Sequence, residues 1–358
     1  MKIEEIDRNL KVESTVDEPD IVWMSAREEP FSLRGVFYDE AAGCFVRMTR
    51  EDADRVSRDV RELRRCPSGG RIRFRTDSEF IGFRAVLDTT GHAMPQSPLA
   101  AQSGFDLYVK NRFTGKSTLC YAFEPTPGRE DGYSSHFRSD TGDVDEYTIN
   151  FPVMAEVRDV FIALKKGATL EKAAPYRNEK PVVFYGSSIT QGNCASLPGN
   201  AYEAIISSRM DIDYLNLGFS GCCLGEEAMA EYIAGLDMSA LVMDYDHNAS
   251  GAEHLLATHE RFFRIIRKRH PTLPVIFMTA PNILPWYTWY QARRDAIKRT
   301  YDRAVAAGDR NVYFIDGIEL FGDEDADLCT VDTCHPNSLG FYRMALRVER
   351  ELKKCLYL

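Results

Sequence analysis

Four short segments hold residue types that can do chemistry together. Gly186-Ser187-Ser188-Ile189-Thr190-Gln191-Gly192 follows the apolar run Val182-Val183-Phe184-Tyr185. A serine in a tight turn between strand and helix can be presented to a cleft, and the backbone N–H groups that follow can stabilise an oxyanion. The same segment reads equally well as a plain loop with capping serines. Asn216-Leu217-Gly218-Phe219-Ser220-Gly221 ends a second apolar run, where a glycine lets backbone approach a ligand or simply supplies a turn. Asp244-Tyr245-Asp246-His247-Asn248 ends a third; its Asn amide can donate to a developing negative charge or cap a turn. Asp332-Thr333-Cys334-His335-Pro336 precedes the last helical stretch. Asp and His three apart on a loop can face one site. The carboxylate then fixes one imidazole nitrogen and leaves the other as a general base.

The elements around these segments must bring them together. After residue 181 the chain alternates apolar strands with amphipathic helices. Strands are expected at Val182–Tyr185, Tyr214–Leu217, Ala240–Met243, Val275–Met278 and Val312–Ile315. Helices are expected from near Ala201, around Glu226–Ala234, over His254–Arg269, over Gln291–Ala306 and from about Ser338. That alternation predicts βαβ units around a parallel sheet, whose ligands bind beyond the carboxyl ends of the strands.

Residues 1 to about 175 read differently. Ile72–Arg75, Phe80–Val86, Phe105–Val109 and Val160–Leu164 are short period-2 runs. Pro67-Ser68-Gly69-Gly70, Pro125-Thr126-Pro127-Gly128 and Thr141-Gly142-Asp143 punctuate them, and one helical stretch covers Arg50 to Arg65. Short strands broken by turn chemistry predict an antiparallel, jelly-roll-like sandwich. A chain of 358 residues also favours two domains. The expected division is a sandwich over residues 1–175, with a substrate-binding or interface role, and an α/β unit over 176–358.

Composition excludes several classes. With 44% hydrophobic and 27% charged residues the chain is neither disordered nor fibrous. A formal net charge of −10 argues against nucleic acid and anionic lipid as partners. The acidic N-terminus Met1-Lys2-Ile3-Glu4-Glu5-Ile6-Asp7 has no signal-peptide core, which predicts a cytoplasmic protein. Nine scattered cysteines lack framework spacing, so reduced thiols are expected. No phosphate-cradling loop or dinucleotide fingerprint marks a βα turn, and no cofactor is expected. Cys329, Cys334 and His335 have no second matching pair for structural zinc, so no metal is expected either. Cys222-Cys223 reads as small apolar packing, and His254, His259 and His270 as solvated or capping residues.

The run Trp286-Tyr287-Thr288-Trp289-Tyr290 follows the fourth strand. Trp286, Tyr287, Trp289 and Tyr290 could form a wall on which sugar rings stack. They could equally form a latch onto the N-terminal half or onto a second copy in a homo-oligomer.

Taken in order, the four segments resemble the blocks of the SGNH hydrolases, the GDSL-type esterases, over about residues 180–358. The resemblance makes Ser188 the nucleophile, His335 its base and Asp332 the residue that orients His335. The oxyanion donors would be the Ser188 and Gly221 N–H groups and the Asn248 amide. The family's Gly-Asp-Ser-Leu is Gly186-Ser187-Ser188-Ile189 here, and Ala249 stands where an Asp usually follows the Asn. The whole chain is similar to the branch with an N-terminal β-sandwich, which includes bacterial carbohydrate esterases and some acyltransferases. It implies a flavodoxin-like α/β/α hydrolase that cleaves short acyl esters, acetyl above all, from a small-molecule or oligosaccharide substrate. An acyltransferase using the same residues, or a catalytically silent carbohydrate-binding protein, are the alternatives.

Overall fold

The computed structural model describes residues 16–88, 94–125, 131–281, 284 and 286–356. The expected turn at 126–128, part of the stretch before Trp286 and the first fifteen residues lie outside the described residues.

Among the described residues, twelve strands build the N-terminal half: β1 (Ile21–Ser25), β2 (Ser32–Arg34), β3 (Phe37–Asp39), β4 (Cys44–Val46), β5 (Arg71–Thr76), β6 (Phe80–Leu87), β7 (Phe105–Lys110), β8 (Ser117–Phe123), β9 (Gly132–Arg138), β10 (Asp145–Asn150), β11 (Val157–Lys165) and β12 (Leu170–Lys172). One antiparallel sheet runs β1-β11-β6-β9 and a second runs β12-β5-β10-β7-β8, with β2 also on β5. Alternate residues of both sheets meet in one aromatic core, where Phe83 stacks on Phe123 at 4.3 Å between ring centroids. That is a sandwich, as the turn-punctuated pattern predicts.

The single helix expected over Arg50–Arg65 is two helices, α1 (Arg50–Val56) and α2 (Arg58–Leu63). Ser57 separates them because it is extended and its hydroxyl accepts the Val60 N–H at 3.1 Å, capping α2.

The C-terminal half carries β13 (Asn178–Gly186), β14 (Ile212–Gly218), β15 (Ala240–Asp244), β16 (Val275–Met278) and β17 (Val312–Ile315). They form one parallel sheet in the order β14-β13-β15-β16-β17. Helices α3 (Ser188–Gln191), α4 (Tyr202–Met210), α5 (Glu227–Ala234), α6 (Ala252–Arg269), α7 (Thr288–Ala306) and α8 (Ser338–Leu356) connect and follow the strands. Val183 and Tyr185 face a core shared with α5, α6 and α7, while Val182 and Phe184 face one shared with α4 and α8. Burial on both faces is why Val182–Tyr185, Ala240–Met243, Val275–Met278 and Val312–Ile315 read as unbroken apolar runs. No helix among the described residues is long and apolar enough to cross a membrane.

The halves interlock. Met48, Ala53 and Val60, from around α1 and α2, are buried in the same core as Met229 and Ile233 of α5. Arg71 of β5 is buried with its guanidinium over the Tyr214 ring at 3.8 Å, donating to Asp213 at 2.5 Å.

Candidate active site

Ser188 stands at the carboxyl end of β13, between neighbours β14 and β15. Gly186 is required there: a Cβ would lie 2.1 Å from Thr190 Oγ1 and 2.4 Å from Asp244 O. The chain therefore turns sharply into α3. Ser187 is the N-cap of that helix, its hydroxyl accepting the Ile189 N–H at 3.1 Å, and it is fully buried. Ser188 is 7% exposed and its Oγ lies 2.9 Å from His335 Nε2.

His335 is held by a turn wrapped around one carboxylate. Asp332 Oδ2 lies 2.8 Å from His335 Nδ1, while Oδ1 accepts the N–H groups of His335 at 2.7 Å and Cys334 at 3.1 Å. Thr333 closes this turn in the left-handed region at φ 68°. Partial burial pushes the Asp332 carboxyl up, but the His335 N–H and imidazole outweigh it and hold the group below its ordinary value. An ionised Asp332 keeps a proton on Nδ1, so that Nε2 can accept from Ser188.

The loops after β14 and β15 meet beside the turn of Ser188, where the Phe219 N–H donates to Gly186 O at 2.9 Å. The N–H groups of Ser188 and Gly221 take no acceptor among the described residues. Gly221 adopts φ +75°, a left-handed conformation suited to glycine, with nothing within 4 Å of where a Cβ would be. Asn248 Oδ1 accepts the Cys223 N–H at 3.3 Å, which directs the amide and leaves its NH₂ group without an acceptor among the described residues. The segment carrying Asn248 is pinned from below. Arg293 of α7 donates to the buried Asp246 carboxylate at 2.8 Å and to Ala249 O at 2.9 Å, and Ala280 N–H meets the other Asp246 oxygen at 2.9 Å. This pair anchors a loop in which no Asp follows the Asn. A lone Arg on a helix and an Asp in a loop, far apart in sequence, gave no signal of it.

His247 is a neutral neighbour, because burial pushes its imidazole down to about 4; its Nδ1 lies 3.6 Å from Cys334 Sγ. Asp332, Cys334 and His335 offer ligand atoms within 4.8 Å of one another, whereas Cys329 is buried elsewhere in the core around α8. Both His335 nitrogens already face Ser188 and Asp332, which suits a base better than a metal ligand. All nine cysteines are unpaired. His259 is neither solvated nor capping: it is buried, stacked on Tyr245 at 5.7 Å and edge-on to Phe277 at 5.1 Å. It lies on the apolar stripe of α6, where its neighbours are core residues.

The aromatic run divides. Helix α7 begins at Thr288, three residues before the expected start, and takes in Trp289 and Tyr290. Trp286, Tyr287 and Trp289 are 65%, 45% and 54% exposed, whereas Tyr290 is buried with its hydroxyl 3.4 Å from Asp316. Tyr290 is therefore part of the scaffold and not of an open wall. The other three follow β16, two strands or roughly 10 Å along the sheet edge from the strand of Ser188.

Near the start of β7, Gly104-Phe105-Asp106-Leu107-Tyr108 joins the sandwich to the other half. Asp106 accepts the Gly199 N–H at 2.7 Å, Tyr108 donates to Asn200 at 3.3 Å, and Asn200 reaches Ser338 at 3.5 Å at the start of α8, just beyond His335. The sequence pattern here predicts only a strand, and the Asp inside an apolar run is the signal of this role.

Comparison with known proteins matches these features. The profile of the GDSL-like lipase/acylhydrolase family matches residues 179–353, and that of the GxDLY N-terminal domain of SGNH-hydrolase-type esterases matches residues 21–170. No curated protein matches the chain. Among solved structures, one from Bacteroides ovatus described as a GDSL-like lipase superposes with a TM-score of 0.83 at 26% identity, covering 94% of this chain and 98% of its own. The salicylyl-acyltransferase SsfX3 of a tetracycline biosynthetic pathway gives a TM-score of 0.76 at 21% identity, with 96% and 99% covered. A family two carbohydrate esterase from Clostridium thermocellum gives 0.58 at 15% identity, with 81% and 93% covered. The chain belongs to the SGNH hydrolases, the GDSL-type lipases and acylhydrolases with a GxDLY N-terminal domain, and is a carboxylic ester hydrolase of that family.

Proposed function

We propose that the enzyme hydrolyses short acyl esters, acetyl foremost, carried on a carbohydrate, through a Ser188 acyl-enzyme. The observation that carries this reading is the hydrogen-bonded line from Ser188 Oγ through His335 to Asp332. His335 takes the Ser188 proton as Ser188 attacks the ester carbonyl. The N–H groups of Ser188 and Gly221 and the Asn248 amide hold the oxyanion; His335 returns the proton to the leaving alcohol, and water then releases the acid by the same route. Exposed Trp286, Tyr287 and Trp289 suit a sugar ring as a stacking surface, and the similar fold of the Clostridium thermocellum carbohydrate esterase, solved in complex with cellohexaose, supports that choice.

The test is a panel of acetylated sugars beside soluble p-nitrophenyl esters of increasing chain length. Efficiency is expected to fall from acetate past butyrate to octanoate. A groove for alkyl tails would gain roughly 0.8 kcal/mol per buried CH₂. A steady rise in kcat/KM to long chains would therefore overturn the carbohydrate reading. A second reading, acyl transfer to an alcohol other than water, is favoured by the likeness to the salicylyl-acyltransferase. Product analysis with added alcohols separates the two: ester products exceeding free acid would establish transfer.

A further inference from the structure

Gln191 closes the one-turn helix that Ser188 opens, and its side chain is fully buried. Its Oε1 accepts the Ser220 N–H at 2.9 Å. Its Nε2 donates to Val153 O at 2.8 Å, with Met154 Sδ at 3.0 Å. Its own carbonyl accepts from Ser68 Oγ at 2.5 Å. Val153 and Ser68 belong to the N-terminal half; Ser220 directly precedes Gly221. A carboxamide can accept on one side and donate on the other, which neither a carboxylate nor an ammonium can do. One side chain thus ties together the helix of Ser188, the loop of Gly221 and the sandwich.

Gly221 needs such an anchor. It has no side chain, and nothing lies within 4 Å of where a Cβ would be; the Cys222 N–H to Phe219 O bond at 3.0 Å shapes its turn but does not tie that turn to Ser188. An oxyanion donor must meet the developing charge within about 2.7–3.1 Å, and a misplacement of about 1 Å can cost about a hundredfold in rate. We propose that Gln191 is a positioning residue that fixes the Ser220–Gly221 segment relative to Ser188, and that the N-terminal half supplies the fixed point from which it does so. The inference rests on the acyl-enzyme reading given above.

Gln191→Met fills the same space and removes the side-chain bonds to Ser220, Val153 and Met154. Folded Gln191→Met is expected to show kcat on acetate esters lowered about 10- to 100-fold with KM within about threefold, and fluorophosphonate labelling slowed in parallel. Gln191→Glu keeps an acceptor for the Ser220 N–H and, once ionised, loses the donor to Val153, so at alkaline pH, relative to the wild type at the same pH, its kcat should fall between those of Gln191→Met and the wild type. A wild-type kcat in folded Gln191→Met overturns the inference, as does a loss confined to KM. Should the methionine variant not fold, Gln191→Glu carries the test, and a kcat that matches the wild type across the whole pH range up to the alkaline end overturns it. Ser188→Ala, measured alongside, keeps the two ideas apart. Activity in that variant would defeat the acyl-enzyme reading itself, whereas a dead Ser188→Ala with an unimpaired Gln191→Met defeats only the role of Gln191.

Discussion

Ser187 Oγ accepts the N–H of Ile189 at 3.1 Å, so the first of two adjacent serines is spent on capping a helix and the second is left facing His335. Ser188→Ala is therefore expected to lower ester hydrolysis by about 10⁴-fold or more, since it removes the proposed nucleophile of a unit that acts together. Ser187→Ala should keep most activity and lose about 1 kcal/mol of stability, the usual worth of such a cap. Kinetics and thermal melts of the two variants check both halves of this statement. A dead Ser187→Ala beside an active Ser188→Ala would reverse the assignment.

Asp332 serves the site twice, through the His335 ring and through two backbone N–H groups. Asp332→Asn can keep the backbone contacts, but its amide favours the wrong imidazole tautomer. A fall in kcat of about 10³- to 10⁴-fold is expected with little change in melting temperature. A loss of less than about tenfold in steady-state assays would show that His335 takes its orientation from elsewhere.

Dialysis against EDTA should leave activity unchanged. The proposed oxyanion donors are amide groups, and both ring nitrogens of His335 are already engaged, so the proposed chemistry calls for no Lewis acid. Loss of turnover on chelation, restored by zinc, would instead assign the Asp332, Cys334 and His335 cluster to a metal.

Asp244 lies behind the Gly186 turn, where burial pushes its carboxyl up from 3.8 to about 8 despite hydrogen bonds from Thr190 and Tyr202. The folded state thus holds a proton that the unfolded chain releases near its ordinary value. Stability from this group is whole below about pH 4 and is lost as pH climbs through about 8. Asn can keep both bonds through its carbonyl and cannot ionise. Asp244→Asn should therefore show a flatter melting temperature from about pH 5 to 9 and exceed the wild type at the alkaline end. Parallel melting curves for the two proteins would contradict the shift.

The parallel strands could be read from sequence because burial on both faces leaves long stretches of them apolar, such as Val182–Tyr185 and Ala240–Met243; Val275–Met278 and Val312–Ile315 have the expected ends. Strands such as Gly132–Arg138 and Asp145–Asn150 escaped because Ser, His, Thr and Asp alternate through them at a half-covered surface. Ser188, Gly221, Asn248, Asp332 and His335 stood out by their places after strands and before α8, since chain order alone puts those positions at one sheet edge. What holds them there did not stand out. Gln191 meets Val153 across 38 positions and Arg293 meets Asp246 across 47. Arg47, buried and far from any site motif, donates to Gly218 O at 2.5 Å across 171. Such partners are fixed by tertiary packing, and no local period records them.

The seating of Met48, Ala53 and Val60 inside the α/β core bears on how the chain can be cut. A fragment beginning after Lys172 would bare the apolar hollow those residues fill. It would also free Gly218 O from Arg47 and Gln191 from Val153, Met154 and Ser68. The hydrolase portion is thus no portable cassette. Its grafting onto another protein, or its exchange between relatives, would have to carry both the stretch from Arg47 to Ser68 and the Val153-Met154 segment along with it.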